Sequence, residues 1–407
     1  MSNRVQSFIL VILIIGMALA SFAAGYVVRD TMGVETAGVE RPGVVGEVTA
    51  SSLDSEFTLF NEAWHLVNQS FFGELPEGKR VEYGAIRGAL DTLADPYTIF
   101  IEPPERQAEI DRLSGNFGGI GARLQRNEAG EIELTVIPGN PAEAAGILDG
   151  DILVAVDGIE ITAEMSVGAI AQQIRGERGT EVVLSVIHPG ESEPVDVVVE
   201  RGNILLPSVT SRIVAEEPVV GYIDLDRFSG ESGNEVKEAI EGLLAEGAEA
   251  IILDLRNNGG GLLDAAVSVS DHFLDEVPVL YQQSRGQGEQ TFFTTDETIA
   301  GDVPLLVLVN QGTASAAEIV AGALMDHERA RLLGAQTFGK GSVQLVYDLS
   351  DGSSVHITAA KWLTPNRQQI DQQGLVPDEA ITITQEDVDN GRDPVLERAI
   401  EIFANEL

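Results

Sequence analysis

Two residues of this 407-residue chain have the types needed for covalent catalysis without a thiol or a metal: Ser315 and Lys340. A serine hydroxyl attacks a carbonyl well only when a neighbour removes its proton. A lysine can do so only as the free amine, which burial favours by penalising the ammonium. Ser315 follows the apolar run Leu305–Val309 and the turn Asn310-Gln311-Gly312. After it, Ile319, Val320, Ala323 and Leu324 are spaced along one face of a helix. Lys340 lies between Gly339 and Gly341, after the strand-like stretch Ala330–Leu333. The pattern therefore predicts a strand-to-helix turn for the serine and a glycine turn for the lysine, with apolar strands keeping both dry.

Each half also has a plainer reading. Ser315 with Glu318 three residues on fits a capping box. Gly-Lys-Gly alone fits a turn carrying a solvated cation. Gly334 to Lys340 satisfies the G-x-x-x-x-G-K of a phosphate loop, but Gly341 stands where Ser or Thr would hold magnesium. Such a loop must also open a helix, whereas Val343, Leu345, Tyr347 and Leu349 alternate as a strand does. The nucleotide reading is rejected.

The blocks Gly312-Thr313-Ala314-Ser315-Ala316-Ala317-Glu318-Ile319 and Phe338-Gly339-Lys340-Gly341-Ser342-Val343-Gln344 resemble the signature blocks of the C-terminal processing peptidases, or tail-specific proteases. The resemblance implies that Ser315 is the nucleophile, Lys340 the general base and Gln344 the residue that orients the lysine. It also implies a mixed α/β fold. A crotonase/ClpP-like serine peptidase core would carry an inserted PDZ domain (sandwich- or barrel-like, with two helices) and an N-terminal helical segment behind a transmembrane helix. One tension is geometric: positions i and i+4 of a straight strand lie about 13 Å apart. Contact between Gln344 and Lys340 requires a bend near Gly341.

Charge developing on the attacked carbonyl needs fixed donors. The Ala316 N–H, at a helix start, is a natural one. The run Asp254-Leu255-Arg256-Asn257-Asn258-Gly259-Gly260-Gly261 resembles another block of the same family, with Gly259 where proline is common. Backbone N–H groups at Gly260 or Gly261 could complete an oxyanion hole, or the glycines could simply permit a sharp turn. Asp254 and Arg256 read as structural.

Residues 114–202 resemble a PDZ domain through Phe117-Gly118-Gly119-Ile120-Gly121, Pro141-Ala142-Glu143-Ala144-Ala145-Gly146-Ile147, Gly150-Asp151-Ile152-Leu153-Val154-Ala155-Val156-Asp157-Gly158 and the alternating strand Val182–Val186. Consecutive N–H groups at Gly118, Gly119, Ile120 and Gly121 can cradle a peptide's terminal carboxylate while the peptide pairs with a strand edge. Arg175 reads either as a link between groove occupancy and the catalytic part or as an exposed salt bridge.

Acidic residues number 65 and basic residues 25, a formal charge of −40. That argues against nucleic acid and against an anionic membrane surface as general partners. The absence of cysteine excludes disulfides, thiol catalysis and cysteine-ligated zinc. His65, His188, His272, His327 and His356 show no metal-ligand spacing and read as structural, and no metal or organic cofactor is implied.

Phe8 to Val28 is a run of 21 residues without charge, preceded by Arg4. Its length suits a bilayer span and exceeds a secretory h-region. Residues 1–28 are therefore expected to anchor the chain in the cell membrane, with the catalytic part extracytoplasmic. Small residues at Ala18-Leu19-Ala20 and Ala23-Ala24 leave a cleaved signal, and hence secretion, as the alternative. Residues 29–54 read as a tether and 55–113 as a helical region, with Phe57, Phe60, Trp64, Leu66 and Val67 on one helix and Ile86, Leu90 and Leu93 on another. There, Tyr83-Gly84-Ala85-Ile86 to Asp95-Pro96-Tyr97-Thr98 resembles the family's helical lead-in, which leaves room for a homo-oligomer. Residues 203–385 form the expected peptidase core, and 386–407 a closing helix.

The expectation is a membrane-tethered serine endopeptidase that cleaves protein substrates near their C-termini, with the PDZ domain recognising the tail and gating activity. The alternative is a catalytically inactive PDZ scaffold that holds partner tails. A Ser-His-Asp hydrolase is weaker, because G-x-S-x-G is missing.

Overall fold

The computed structural model describes residues 57–407. The expected membrane anchor, tether and signal alternatives at 1–54 lie outside the described residues. Among the described residues, no helix is long and apolar enough to cross a membrane.

The chain divides into two units, residues 1–77 and 78–407. In the first, the helix Thr58–Ser70 forms where aromatic spacing predicts it, with Phe60 stacked on Trp64 and none of its residues buried.

The second unit opens with the helix Gly78–Asp91 and then carries two larger bodies. Its core is a six-stranded sheet in the order Val209–Glu216, Val219–Leu225, Ala250–Asp254, Leu305–Val309, Arg331–Gly334, Glu379–Ala380. After one antiparallel pair, every neighbouring pair is parallel. Parallel strands covered on both faces read as unbroken apolar runs rather than alternations, and Leu305–Val309 is buried throughout. Ile251, Leu253, Val307 and Val309 point to one face, against the helices Ser232–Ala245, Leu263–Asp271 and Ala316–Asp326. Ile252, Leu306 and Leu308 point to the other, against Val395, Ala399, Ile402 and Phe403 of the helix Pro394–Glu406.

Beside this lies a second sheet, in which Ser354–Leu363 pairs with Ile99–Ile101, Pro278–Ser284 and Ser342–Asp348. The alternating apolar residues after Lys340 thus form the strand that rules out a phosphate loop.

The PDZ-like segment is an antiparallel sheet ordered Ala122–Arg126, Ile132–Val136, Asp151–Val156, Glu181–Ile187, Val195–Glu200, with the short strand Ile159–Glu160 added to the third. Val182, Leu184 and Val186 are fully buried, as the alternation requires. Two helices, Pro141–Ala145 and Val167–Ile174, complete it. Asn116–Gly119 pairs with Gly202–Leu205, so the two ends of the insertion run together as a stem.

Candidate active site

Ser315 caps the helix Ala316–Asp326 with φ +55° and ψ −118°. A non-glycine residue at positive φ with this ψ costs on the order of 1–3 kcal/mol and persists only where its surroundings over-determine it. They do so here. The helix is buried on all sides from Ala316 to Leu324, more than the single apolar face its spacing predicts. Ahead of it, Thr313 Oγ1 donates to Leu255 O at 2.7 Å, and the Ala314 N–H donates to Asn258 O at 2.9 Å.

The residue that joins the two signature blocks is Glu318, which is fully buried. Its Oε2 accepts the N–H of Ser315 and the N–H of Lys340, both at 2.9 Å. Its Oε1 accepts the Gly339 N–H at 2.7 Å and the Thr337 hydroxyl at 2.5 Å. Thr337 Oγ1 in turn accepts the Leu375 N–H at 2.7 Å. A buried carboxylate is tolerable only when its lone pairs are filled in this way. The capping-box pattern in the sequence registers Glu318 as a local helix partner only. Its larger use, pinning the lysine loop to the serine turn, is a tertiary property.

Trp362 holds the other side of the lysine loop, donating from Nε1 to Lys340 O and from its backbone N–H to Gly341 O. Gly339 has φ +87°, and a Cβ there would meet Gly374 N at 2.7 Å. The glycine flanking the lysine is therefore required by the close approach of the 370–374 turn.

Ser315, Ala316, Gly259, Gly261, Lys340 and Gln344 line one cavity of about 300 Å³. Burial pushes the Lys340 amine below the ordinary lysine range, against the opposing pull of Glu109, Asp95 and Glu318. Its Nζ sits over the Tyr97 ring, 5.1 Å from the centroid. Among the described residues it makes no hydrogen bond to Ser315 or to Gln344. The Gln344 amide instead donates to Ser342 Oγ at 2.9 Å. The backbone does deviate, with a bulge between Val343 and Gln344, but that shift does not bring Gln344 onto the lysine.

The sequence-predicted oxyanion donors also divide. Gly260 N–H is occupied, donating to Asn258 Oδ1 at 2.9 Å, so it is not available to a substrate in this arrangement. Gly260 acts instead by its smallness. At φ +95°, a Cβ would meet Ala314 O and Ser315 Cβ at 2.8 Å. Ala316 N–H and Gly261 N–H have no partner among the described residues, and both residues line the cavity. Arg256 is structural, as expected: it bridges Asp254 and Asp393, and Asp393 caps the closing helix.

Three ionisable residues of the cavity were not expected. Glu109 and Arg112 come from the helix Pro103–Ser114, and His356 from the second sheet. His356 Nε2 lies 3.2 Å from Glu109 Oε2, and Arg106 pairs with Glu109 at 2.9 Å. Although burial pushes the Glu109 carboxyl up, His356 and Arg106 hold it below the usual range. No spacing in the sequence connects these residues to Ser315.

In the PDZ-like segment, Gly119, Ile120, Gly121 and Arg175 line a groove of about 710 Å³ between the strand Ala122–Arg126 and the helix Val167–Ile174, with Leu124, Ala171 and Ile174 apolar along it. Gly118 lies outside this groove: its carbonyl accepts the Gly176 N–H, and it faces a neighbouring cavity with Asp111. Gly118 is thus a stem residue rather than a groove donor. Arg175 pairs with Asp111 at 2.9 Å and stacks on Phe117 at 4.1 Å. Asp111 is buried on the same helix that carries Glu109 into the cavity lined by Ser315 and Lys340.

Comparison with known proteins finds family matches for both the core and the insertion. The model for peptidase family S41 matches residues 219–381, and a PDZ domain model matches 134–187. The carboxyl-terminal-processing protease of Synechocystis sp. is 37% identical over 354 residues, covering 82% of each chain. That of Picosynechococcus sp. is 36% identical, covering 82% of this chain and 80% of the relative. The carboxy-terminal processing protease CtpA of Bacillus subtilis is 34% identical, covering 82% of this chain and 71% of the relative. The family match and these relatives, 34–37% identical over most of the chain, show that the chain belongs to peptidase family S41 as a carboxyl-terminal processing serine protease with a PDZ domain.

Proposed function

We propose that this protein is a membrane-tethered serine endopeptidase that cuts protein substrates near their C-termini through Ser315 and Lys340. Neutral Lys340 takes the Ser315 proton as Oγ attacks the substrate carbonyl. The oxyanion is held by the N–H groups of Ala316 and Gly261. The ammonium so formed then protonates the departing amine, leaving an acyl-serine that water hydrolyses by the same route in reverse. The observation that carries this reading is the convergence of hydroxyl, partly desolvated amine and two free N–H donors on one cavity.

The tail-recognition half rests on the PDZ-like groove, where the N–H groups of Ile120 and Gly121 would receive a terminal carboxylate. In the arrangement described, the Lys340 amine sits over the Tyr97 ring and makes no hydrogen bond to Ser315, so gating would consist in tightening that pair when a substrate tail is bound. Arg175 is the residue we assign to that gating. It touches the groove and grips Asp111, on the helix whose Glu109 borders the catalytic cavity. The membrane anchor is the uncharged run Phe8–Val28, with the remaining chain extracytoplasmic.

Cleavage of casein and of a tailed peptide, compared with Ser315→Ala and Lys340→Ala, tests the enzyme. Both variants should lose turnover, and equal turnover in all three would defeat the assignment. Tail binding with no turnover by the unmodified protein would favour the scaffold reading. For the anchor, N-terminal sequencing of mature protein should find the apolar run retained; a start after Ala20 or Ala24 would mean a cleaved signal.

A further inference from the structure

Four ionisable side chains line the cavity that holds Ser315: Glu109, Arg112, Lys340 and His356. Three of them are accounted for. Glu109 is met by Arg106 at 2.9 Å and by His356 at 3.2 Å. Lys340 is uncharged in its working form, and burial favours that form. Arg112 is the exception. It is exposed to the cavity, and among the described residues its guanidinium makes no hydrogen bond or ion pair. Asp226, within its electrostatic reach, is gripped instead by Arg227 at 2.8 and 3.0 Å.

A guanidinium is always charged, and its planar fork matches a carboxylate through two parallel N–H···O bonds. Arg112 lies in the last turn of the helix Pro103–Ser114, where any cation favours the helix dipole. That accounts for a charge at this end of the helix but not for its place in the cavity wall. The turn is also held in position. Asp111, next in the chain and buried, accepts from Gln107 at 2.8 Å and from Arg175 at 2.9 Å. Much of the remaining wall is apolar, with Leu262, Leu263, Ile319 and Val343 along it. A bound chain thus meets apolar surface and one cation that has no counter-charge.

We propose that Arg112 is a specificity-determining residue, selecting substrates that carry an aspartate or glutamate side chain beside the scissile bond. A substrate's terminal carboxylate has the same chemistry, but that group is assigned above to the PDZ-like groove, which leaves a side chain for Arg112. The formal charge of −40 opposes acidic segments at a distance. Salt screens such repulsion beyond about 8 Å at physiological strength, so the local contact decides. The proposal rests on the reading of this site as a peptidase.

The test uses the full chain and tailed peptides in which each residue flanking the cut is set in turn to Asp or Asn. Every peptide is made with a free and with an amidated C-terminus. At one position the Asp peptide should exceed the Asn peptide about tenfold in kcat/KM, in both forms, and less so as salt is raised. Arg112→Gln should bring that ratio to about one, and Arg112→Lys should restore part of it. Arg112→Glu should reverse the preference, favouring Lys over Asp at the same position, a gain that misfolding cannot produce. Ser315-dependent cleavage with no such preference, or with one that Arg112→Gln leaves in place, would overturn the proposal and leave the peptidase reading standing. An Arg112-dependent preference that vanishes on amidation would give Arg112 to the tail's end and overturn the side-chain assignment. No Ser315-dependent cleavage of any peptide would overturn both.

Discussion

The backbone N–H of Lys340 donates to the buried carboxylate of Glu318 at 2.9 Å, and so ties the lysine loop to the helix that Ser315 caps. The same oxygen receives the Ser315 N–H, so one side chain fixes the relative position of both halves of the site.

Glu318→Gln should therefore damage geometry and stability together. An amide offers one acceptor oxygen where the carboxylate offers two, and its NH₂ would face N–H donors. Removing one partner from such a buried network costs roughly 2–4 kcal/mol, and kcat should fall about 10²-fold or more. Thermal unfolding and steady-state kinetics on the same preparation check this. Unchanged kcat in a folded variant would show that the clamp does not position the catalytic pair.

The pH profile follows from the direction of the lysine shift. Burial lowers the Lys340 pKa, so the free amine gains population as pH rises, with a midpoint below the ordinary lysine range. kcat/KM should rise across that limb. Glu109 favours the ammonium, so Glu109→Gln should move the midpoint to lower pH. Movement to higher pH, or none, would remove Glu109 from the electrostatics of the site.

Gly260→Ala tests the packing of the glycine loop behind Ser315. The added methyl meets Ala314 O, Ser315 Cβ and Ala316 N within 2.9 Å, at a φ that alanine rarely adopts. Activity should fall about 10²-fold, because the Ser315 turn must move. A folded variant with full activity would mean that the loop yields freely.

The strands around the site are legible in the sequence because they are buried on both faces: Leu305–Val309 and Ala250–Asp254 are apolar runs that only a covered parallel sheet accommodates. The positions of Ser315 at a helix start and Lys340 in a tight turn are legible for similar local reasons. What joins them is not. Glu318 reaches Gly339 across 21 positions, and Glu109 meets His356 from a helix before the PDZ insertion. Gly260 carries no sign in the sequence that its N–H is taken by Asn258, since that depends on how the loop folds back. Gln344 is separated from Lys340 by a choice of side-chain partner, Ser342, that no spacing rule anticipates.

The link from groove to cavity predicts a separation of effects. Arg175→Ala removes the contact to Asp111 but touches nothing at Ser315. It should reduce the advantage of a substrate with a free apolar tail over the same substrate amidated at its end, while leaving Ser315 reactive toward a small electrophile. Parallel assays of the two substrates measure that ratio. A ratio unchanged from the unmodified protein would place gating elsewhere.

The most direct measurement of the central claim is the rate at which a small fluorophosphonate labels the full chain, with the modified residue located by mass spectrometry. Activation of Ser315 by the Lys340 amine predicts a single adduct on Ser315, forming faster as pH rises, and a rate about 10³-fold lower in Lys340→Ala. Labelling at another residue, or an equal rate in Lys340→Ala, would contradict it.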